Sequence, residues 1–422
     1  MFFFYKILTY LLYPFLILLI YFRKFFNRED KLRFKEKIYF HDKPELKKKL
    51  IWFHGASIGE INSITPIIKH FLKKNNFNIL VTTVTQSSAK ILQNEFKNEK
   101  NVSHKYFPLD VPFLIKNFIE KYCPNFAVFV DSEIWPNTVN EIKKKNIPII
   151  LLNARITDKT LKRWLWVENF AKQIFSSFDV CLASSVNSEK NLRILGAKNI
   201  NYIGNLKYIN NLKRFNNLEQ NIVKSFHERK VWLAASTHPN EEKICIATHM
   251  LLKKRFPNML TIIAPRHINR INEIISEIKK ANIVLQVIED GIASINKNTE
   301  IVLINSFGSL NKYFQYCKNV FLGKSLNKKL ILVGGQNPLE AVRLGCKIYH
   351  GPYVYNFKEI YDFLDSQGIT EQIKNSQDLC DKIIKNIDSN FEIDSGKIDK
   401  INKFGQDIFD GTVKKLDQII KV

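Results

Sequence analysis

Several places in this sequence put charged or hydroxyl side chains directly after short apolar runs, where they could act on a bound molecule. The first is IWFHGASIGE, residues 51–60, in which an apolar run meets a small-residue loop holding Ser57 and then Glu60. A lone carboxylate in the loop leaving a strand's carboxyl end could serve as a general base; alternatively, Glu60 merely complements the positive end of a helix. FVDSEIWPN, 129–137, places Asp131 and Glu133 after a run of Phe and Val, and LLNARITDK, 151–159, places Asn153 and Arg155 after the next run. Charges crowded at strand ends face a ligand crevice, because a sheet interior does not accept them unpaired. The competing reading makes Asn153 a helix cap and Arg155 a structural partner of Glu133 or Asp131. Lys207, in the turn GNLKY, could approach a phosphate, although a plain turn has the same spacing.

The second half repeats the pattern. AASTHPNEE, 234–242, offers Ser236 and Thr237 as a helix N-cap signature followed by Glu241 and Glu242, and exposed N–H groups at such a terminus favour an anion. IIAPRH, 262–267, sets Pro265, Arg266 and His267 past another apolar run, and arginine suits bidentate contact with phosphate. In GGQNPLEAVRLGC, 334–346, Gly334 and Gly335 let backbone come close to a ligand, Pro338 suits a first helical turn, and Glu340 sits in that turn. A carboxylate so placed can accept both hydroxyls of a ribose, or can simply complement the helix dipole.

Positioning these groups requires alternating elements. Strand-length runs at 50–53, 78–83, 104–107, 126–130, 148–152, 178–182 and 200–203 alternate with amphipathic, Lys-rich stretches; Ile64, Ile67, Ile68 and Phe71, for example, recur at helical spacing. The alternation resumes at 231–235, 258–264, 283–287, 300–304, 318–322 and 347–350. The expected architecture is α/β, with two tandem doubly wound domains at 50–206 and 229–395, a polar linker at 207–228, and an amphipathic helix at 396–422 packing back on the first domain.

The 45% apolar content and 422 residues fit two globular domains, and the formal charge of +24 admits nucleic acid, an anionic membrane or a phosphorylated substrate as partner. Lys and Asn are abundant throughout the chain, so charge alone does not choose among them. The cysteines, at 123, 181, 245, 317, 346 and 380, form no C-x-x-C pair and read as residues of a reducing compartment. Residues 1–22 carry a single charge, Lys6; as a helix they would be about 33 Å long against a hydrocarbon core of about 30 Å. Residues 23–49 hold eleven Lys or Arg against five Asp or Glu, so an uncleaved N-terminal anchor, single-pass or monotopic, with a basic juxtamembrane segment and cytoplasmic domains, is expected. No G-x-G-x-x-G, Walker A or zinc signature occurs.

Taken in order, HGASIGE, DSEIWPN, LNARIT, GNLKY, STHPNEE, APRH, GGQNPLEA and GPYVYNF resemble the Kdo transferases, which move 3-deoxy-D-manno-octulosonic acid (Kdo) from CMP-Kdo to the lipid A precursor of Gram-negative membranes. The resemblance implies a GT-B fold with acceptor bound mainly by the first domain and CMP-Kdo by the second. It implies Glu60 as catalytic base and nucleotide contacts around the P-R-H and G-G-x-N-P-L-E motifs, hence Arg266, Asn337 and Glu340. The residues at the other strand ends and turns complete the candidates: Ser57, Asp131, Glu133, Asn153, Arg155 and Lys207 on the acceptor or charge-stabilising side, and Ser236, Thr237, Pro265, His267, Gly334 and Gly335 on the donor side. The implied partners are CMP-Kdo, lipid IVA and inner-membrane lipid, without nucleic acid, metal or other cofactor. The chain departs from the family at Asp131 to Trp135, where E-T-E-L-W is usual, at Gln336, where His is usual, and at Asn305 to Leu310, which lacks both acids of a D-T-x-G-E-L segment. A different nucleotide-sugar transferase of the same architecture and a membrane-tethered polyanion binder are the rival readings.

Overall fold

A run such as LIWFH at 50–54 can be satisfied only where both faces of a strand are covered, which is the situation of a central parallel strand. The computed structural model describes residues 1–40, 48–209, 217–289, 294–306, 310–331, 334–389 and 392–420. It divides into a first unit, Met1–Asn211 with Asn402–Val422, and a second unit, Leu212–Ile401.

The first unit is built on seven parallel strands: β1 (Lys49–His54), β2 (Phe77–Thr83), β3 (Val102–Tyr106), β4 (Phe126–Val130), β5 (Ile149–Ala154), β6 (Val180–Ala183) and β7 (Ile200–Tyr202). They lie in the order β3-β2-β1-β4-β5-β6-β7, so the chain reverses its direction of winding between β1 and β4. Leucine, isoleucine and aromatic side chains of these strands pack between helices; Trp52 is wholly buried and its Nε1 donates to Thr82 Oγ1 at 2.9 Å. The second unit repeats the plan with β8 (Val231–Thr237), β9 (Leu260–Pro265), β10 (Leu285–Ile288), β11 (Ile301–Ile304), β12 (Asn319–Leu322), β13 (Lys347–His350) and β14 (Thr370–Gln372), ordered β10-β11-β9-β8-β12-β13-β14. Here the reversal falls between β8 and β12. In doubly wound sheets the crevice at such a reversal is where ligands bind.

Some elements differ from the sequence expectation. The polar stretch 207–228 contains a helix, Gln220–His227, whose Ile222 and Phe226 form an i,i+4 buried pair that the surrounding Asn and Lys disguise. Strand β14 was not expected, because Thr-Glu-Gln at a sheet edge has no apolar run to announce it. The N-terminal helix α1 continues to Phe25, and part of the basic segment after it is folded structure: Phe34 is buried, and Lys37 Nζ lies 2.6 Å from the buried Glu29. Ser236 and Thr237 end β8 and do not cap a helix; the following helix, Glu241–Arg255, is preceded by Asn240 in a left-handed conformation.

The last helix, Ser395–Ile420, contributes Asn402 onward to the first unit. Its approach is close: a Cβ added at Gly405 would fall 2.1 Å from the carbonyl oxygen of Tyr208, and one at Gly204 would fall 2.8 Å from Ile408. Gly411, on the same helix, has open space. Gly405→Ala is therefore expected to lower stability by about 1–3 kcal/mol through overpacking. Gly411→Ala should instead raise it by up to about 1 kcal/mol through helix propensity. Urea midpoints of the two variants, at unchanged m-value, check the contrast.

Candidate active site

The loop after β1 consists of small residues because the chain must fold back on the next helix, α2 (Ile58–Lys73); a Cβ at Gly55 would already stand 3.3 Å from Glu60 Cβ. Ser57 is the N-cap of α2 and forms a capping box with Glu60. The carboxylate accepts from the Ala56 N–H at 2.6 Å, from the Ser57 N–H at 3.4 Å and from Ser57 Oγ at 2.7 Å. The helix-terminal role open from the sequence is thus realised. It is not the whole of the environment, since burial pushes the Glu60 carboxyl up to about 7 against the Ser57 hydrogen bond, and Glu133 and Asp131 push it further in the same direction.

Those two acids stand at the end of β4, the strand beside β1. Asp131 is buried, adopts φ +61°, and lies 3.7 Å from Lys207 Nζ; burial raises its carboxyl while Lys207 and Arg155 oppose the rise. Glu133 accepts from Trp135 Nε1 at 3.0 Å and lies 3.3 Å from His54 Nε2, and these contacts outweigh burial and hold it below its ordinary value. His54 is the last residue of β1, fully buried, stacked on Phe107 at 3.9 Å between ring centroids, with Nδ1 3.0 Å from Thr82 Oγ1. Asn153, also at φ +54°, caps no helix: its Oδ1 accepts from Leu206 N–H at 2.9 Å and so carries the turn that bears Lys207. The Arg155 N–H donates to the Asp131 carbonyl at 3.1 Å, tying the β4 and β5 ends together. Ser57, Glu60, Asp131, Glu133, Asn153, Arg155 and Lys207 therefore share one end of one sheet.

The second unit gathers cations instead. Arg266 and His267 are exposed beyond β9, with the Arg266 N–H donating to the Thr237 carbonyl at 3.0 Å, and the His267 ring lies 5.4 Å from that of His238. Partial loss of solvent lowers the His267 pKa, and Arg266, Arg270 and Lys324 lower it further. Lys324 follows β12 in a left-handed conformation, φ +62°, that glycine adopts more easily; burial and Arg266 lower its pKa. Four N–H groups, of His238, Lys324, Ser325 and Leu326, converge on the buried Glu241 carboxylate at 2.8–3.0 Å and fix this loop beneath the site. Beside it, Ser236 is at φ +55°, and the buried Thr237 hydroxyl has no hydrogen-bond partner among the described residues. The cations Arg266 and Lys324, at the ends of β9 and β12, can hold an anion.

Gly334 and Gly335 belong to the same neighbourhood: the Gly335 N–H donates to the Lys324 carbonyl at 2.7 Å, and a Cβ on Gly334 would overlap the Tyr353 carbonyl oxygen. Asn337 Oδ1 accepts from the Leu339 N–H at 3.1 Å, and Glu340 lies in the first turn of the short helix Leu339–Arg343. Pro265 ends β9. Of the departing segment, Asn305 donates to Glu289 at 2.7 Å, while Phe307, Gly308 and Ser309 lie outside the described residues. His54, Glu241 and Lys324 were not singled out from the sequence. His54 and Lys324 carry the signal that found Arg266, a polar group at the close of an apolar run; Glu241 looked like an ordinary first-turn acid.

The Glu60 environment has a thermodynamic signature. Its folded pKa of about 7 exceeds the ordinary 4.5, so the protonation-linked contribution to stability is complete below pH 4.5 and lost as pH rises through 7. Glu60→Gln is expected to melt higher than the parent above pH 7, with the difference shrinking toward pH 4.5; Tm measured across that range is the check.

The profile of the family described as "3-Deoxy-D-manno-octulosonic-acid transferase (kdotransferase)" matches residues 32–210. The 3-deoxy-D-manno-octulosonic acid transferase of Rickettsia felis is 30% identical over 338 residues, 80% of this chain and 71% of that protein. Its counterpart from Haemophilus influenzae is 28% identical over 342 residues, 79% of this chain and 78% of that one. Among solved structures, the UDP-GlcNAc 2-epimerase from Neisseria meningitidis bound to UDP-GlcNAc matches with a TM-score of 0.54 at 14% identity, covering 85% of this chain and 94% of its own, a likeness of fold alone. The paired seven-stranded parallel sheets are those of a GT-B protein, and the chain belongs to the 3-deoxy-D-manno-octulosonic acid transferase family of glycosyltransferases.

Proposed function

We propose that the chain transfers Kdo from CMP-Kdo to a glucosamine hydroxyl of the lipid A precursor, lipid IVA, at the cytoplasmic face of the inner membrane, releasing CMP. The observation that carries this reading is Glu60, a carboxylate with a pKa of about 7 at the winding reversal of its sheet, in a family of Kdo transferases. In a single displacement, the acceptor oxygen attacks the anomeric carbon of Kdo, its proton passes to Glu60, and the bond to the phosphate oxygen breaks with its electron pair leaving on CMP. A base whose pKa lies near the working pH is half ionised there and still basic enough to take the proton. Asp131 and Glu133 raise its basicity, and His54 keeps Glu133 ionised to do so.

The departing phosphate needs positive charge, which Arg266 and Lys324 can supply, while Glu340 accepts from the ribose and Asn337 holds the turn that presents it. Leaving-group charge met by protein cations needs no metal, so the rate should survive a chelator. The apolar N-terminal helix attaches the enzyme to the membrane that carries its acceptor.

Purified protein incubated with CMP-Kdo and lipid IVA should give a product heavier by Kdo, and UDP-sugars in place of CMP-Kdo should give none; the reverse outcome would establish the rival nucleotide-sugar reading. Glu60→Gln should lower turnover by about 10²–10⁴-fold while CMP still binds. The acid limb of kcat/KM is expected near pH 7, with activity falling as pH drops and Glu60 takes up a proton; a limb near 4.5 would remove Glu60 from the role. Glu340→Ala should mainly raise the KM for CMP-Kdo at little cost in kcat.

A further inference from the structure

Helix α1 spans Phe2–Phe25, and at 1.5 Å per residue its length of about 36 Å would suffice to cross a bilayer. Its contacts argue for a different placement. The helix touches the first unit from end to end: Phe2 packs on Phe170, Tyr5 Oη donates to Asp110 at 2.9 Å, and Thr9 Oγ1 accepts from Asn137 at 3.1 Å. Further along, Tyr13 meets Phe113 edge-on, Ile20 is buried with Phe34, Val111 and Leu114, and Arg23 pairs with Glu29 at 2.7 Å. Asp110 is itself buried and also accepts from Asn137 N–H, Thr138 N–H and Thr138 Oγ1. A helix crossing the bilayer would have to break these contacts or draw Asp110, Asn137 and Glu29 into hydrocarbon, and either is costly.

The opposite side of α1 is bare. Phe4, Leu8, Leu11, Phe15, Leu18 and Phe22 recur at alternating steps of four and three, all exposed and all apolar, a stripe far larger than a soluble surface tolerates. Both of its ends are basic and interfacial in composition. At the C-terminal end, exposed Arg23, Arg28, Lys31 and Lys35 interleave with Phe25 and Leu32. Near the N-terminal end, the short helix Asp158–Leu165 exposes Lys162, Arg163 and Leu165, and Trp166 beyond it is 88% exposed; Phe170 of the next helix rests on Phe2 and Tyr5.

We propose that α1 lies in the plane of an anionic lipid surface, apolar stripe down, with Leu165 and Trp166 as a second insertion point, and does not cross the bilayer. Apolar residues flanked by cations at headgroup depth are the composition of interfacial helices. A second copy of the chain is a poorer occupant, because pairing two stripes would bring these cations together. The inference deepens the membrane attachment proposed above and rests on it, but not on the identity of the sugar or acceptor.

The test uses full-length protein carrying Cys123→Ser, which removes the exposed thiol and leaves the five buried ones. Spin labels at single cysteines replacing Phe4, Leu11, Leu18 and Phe25 are compared in phosphatidylethanolamine–phosphatidylglycerol vesicles by accessibility to oxygen and to a water-soluble nickel chelate. One shallow depth at all four positions is expected. A profile with Leu11 deep and Phe4 and Phe25 at opposite surfaces overturns the inference and leaves attachment standing. Trp166→Ala should weaken vesicle binding about tenfold, as expected for withdrawing one large apolar side chain; unchanged binding refutes the second insertion point. Binding should also be weaker to pure phosphatidylcholine vesicles. No binding to either vesicle removes membrane attachment itself, and a dimer that vesicles do not dissociate assigns the stripe to a second copy.

Discussion

A parallel strand covered on both faces cannot carry a charge until it ends, and this constraint decides where chemistry occurs in the molecule. β1, β4 and β5 are apolar along nearly their whole length, and these polar residues come within two positions of the strand's end: His54, Asp131, Asn153. β8, β9 and β12 follow the same rule with Ser236, Arg266 and Lys324. Because neighbouring strands run the same way, their tips meet at one edge, and groups far apart in sequence become one another's electrostatic environment. That several non-glycine tip residues, Asp131, Asn153, Ser236 and Lys324, sit at positive φ shows how sharply the chain must turn there.

The two units use this edge with opposite sign. In the first, carboxylates crowd, so Glu133 and Asp131 add to the effect of burial in making Glu60 harder to ionise, while His54 and Trp135 keep Glu133 itself acidic. In the second, cations stand at the strand ends, and together with burial they lower the pKa values of His238 and His267. One edge thus favours a proton and the other an anion.

The alternation of apolar runs and amphipathic stretches made the two sheets legible, since buried parallel strands announce themselves by continuous hydrophobicity. Elements without such runs were missed: the edge strand Thr370–Gln372 pairs through its backbone, and the helix Gln220–His227 is held by two buried side chains among polar ones. Site residues were found where a polar group ends an apolar run. Their relations were not legible, because they depend on strand order. The sequence cannot tell that β4 lies beside β1, and so that Glu133 bears on Glu60 and His54. The sequence leaves Glu60 either a helix-terminal acid or a site acid, whereas folding back on its own loop makes it the first and burial beside two carboxylates gives it the properties of the second.

The capping box carries a consequence for observing the enzyme. The Ala56 amide donates to Glu60 at 2.6 Å, through backbone that no side-chain substitution need disturb. Protonating the carboxylate withdraws negative charge from that N–H, so the amide resonance of Ala56 is a built-in indicator of the proton on Glu60. A spectroscopist could follow the ionisation of this one carboxyl, residue by residue, in the intact protein without labelling or altering the acid itself.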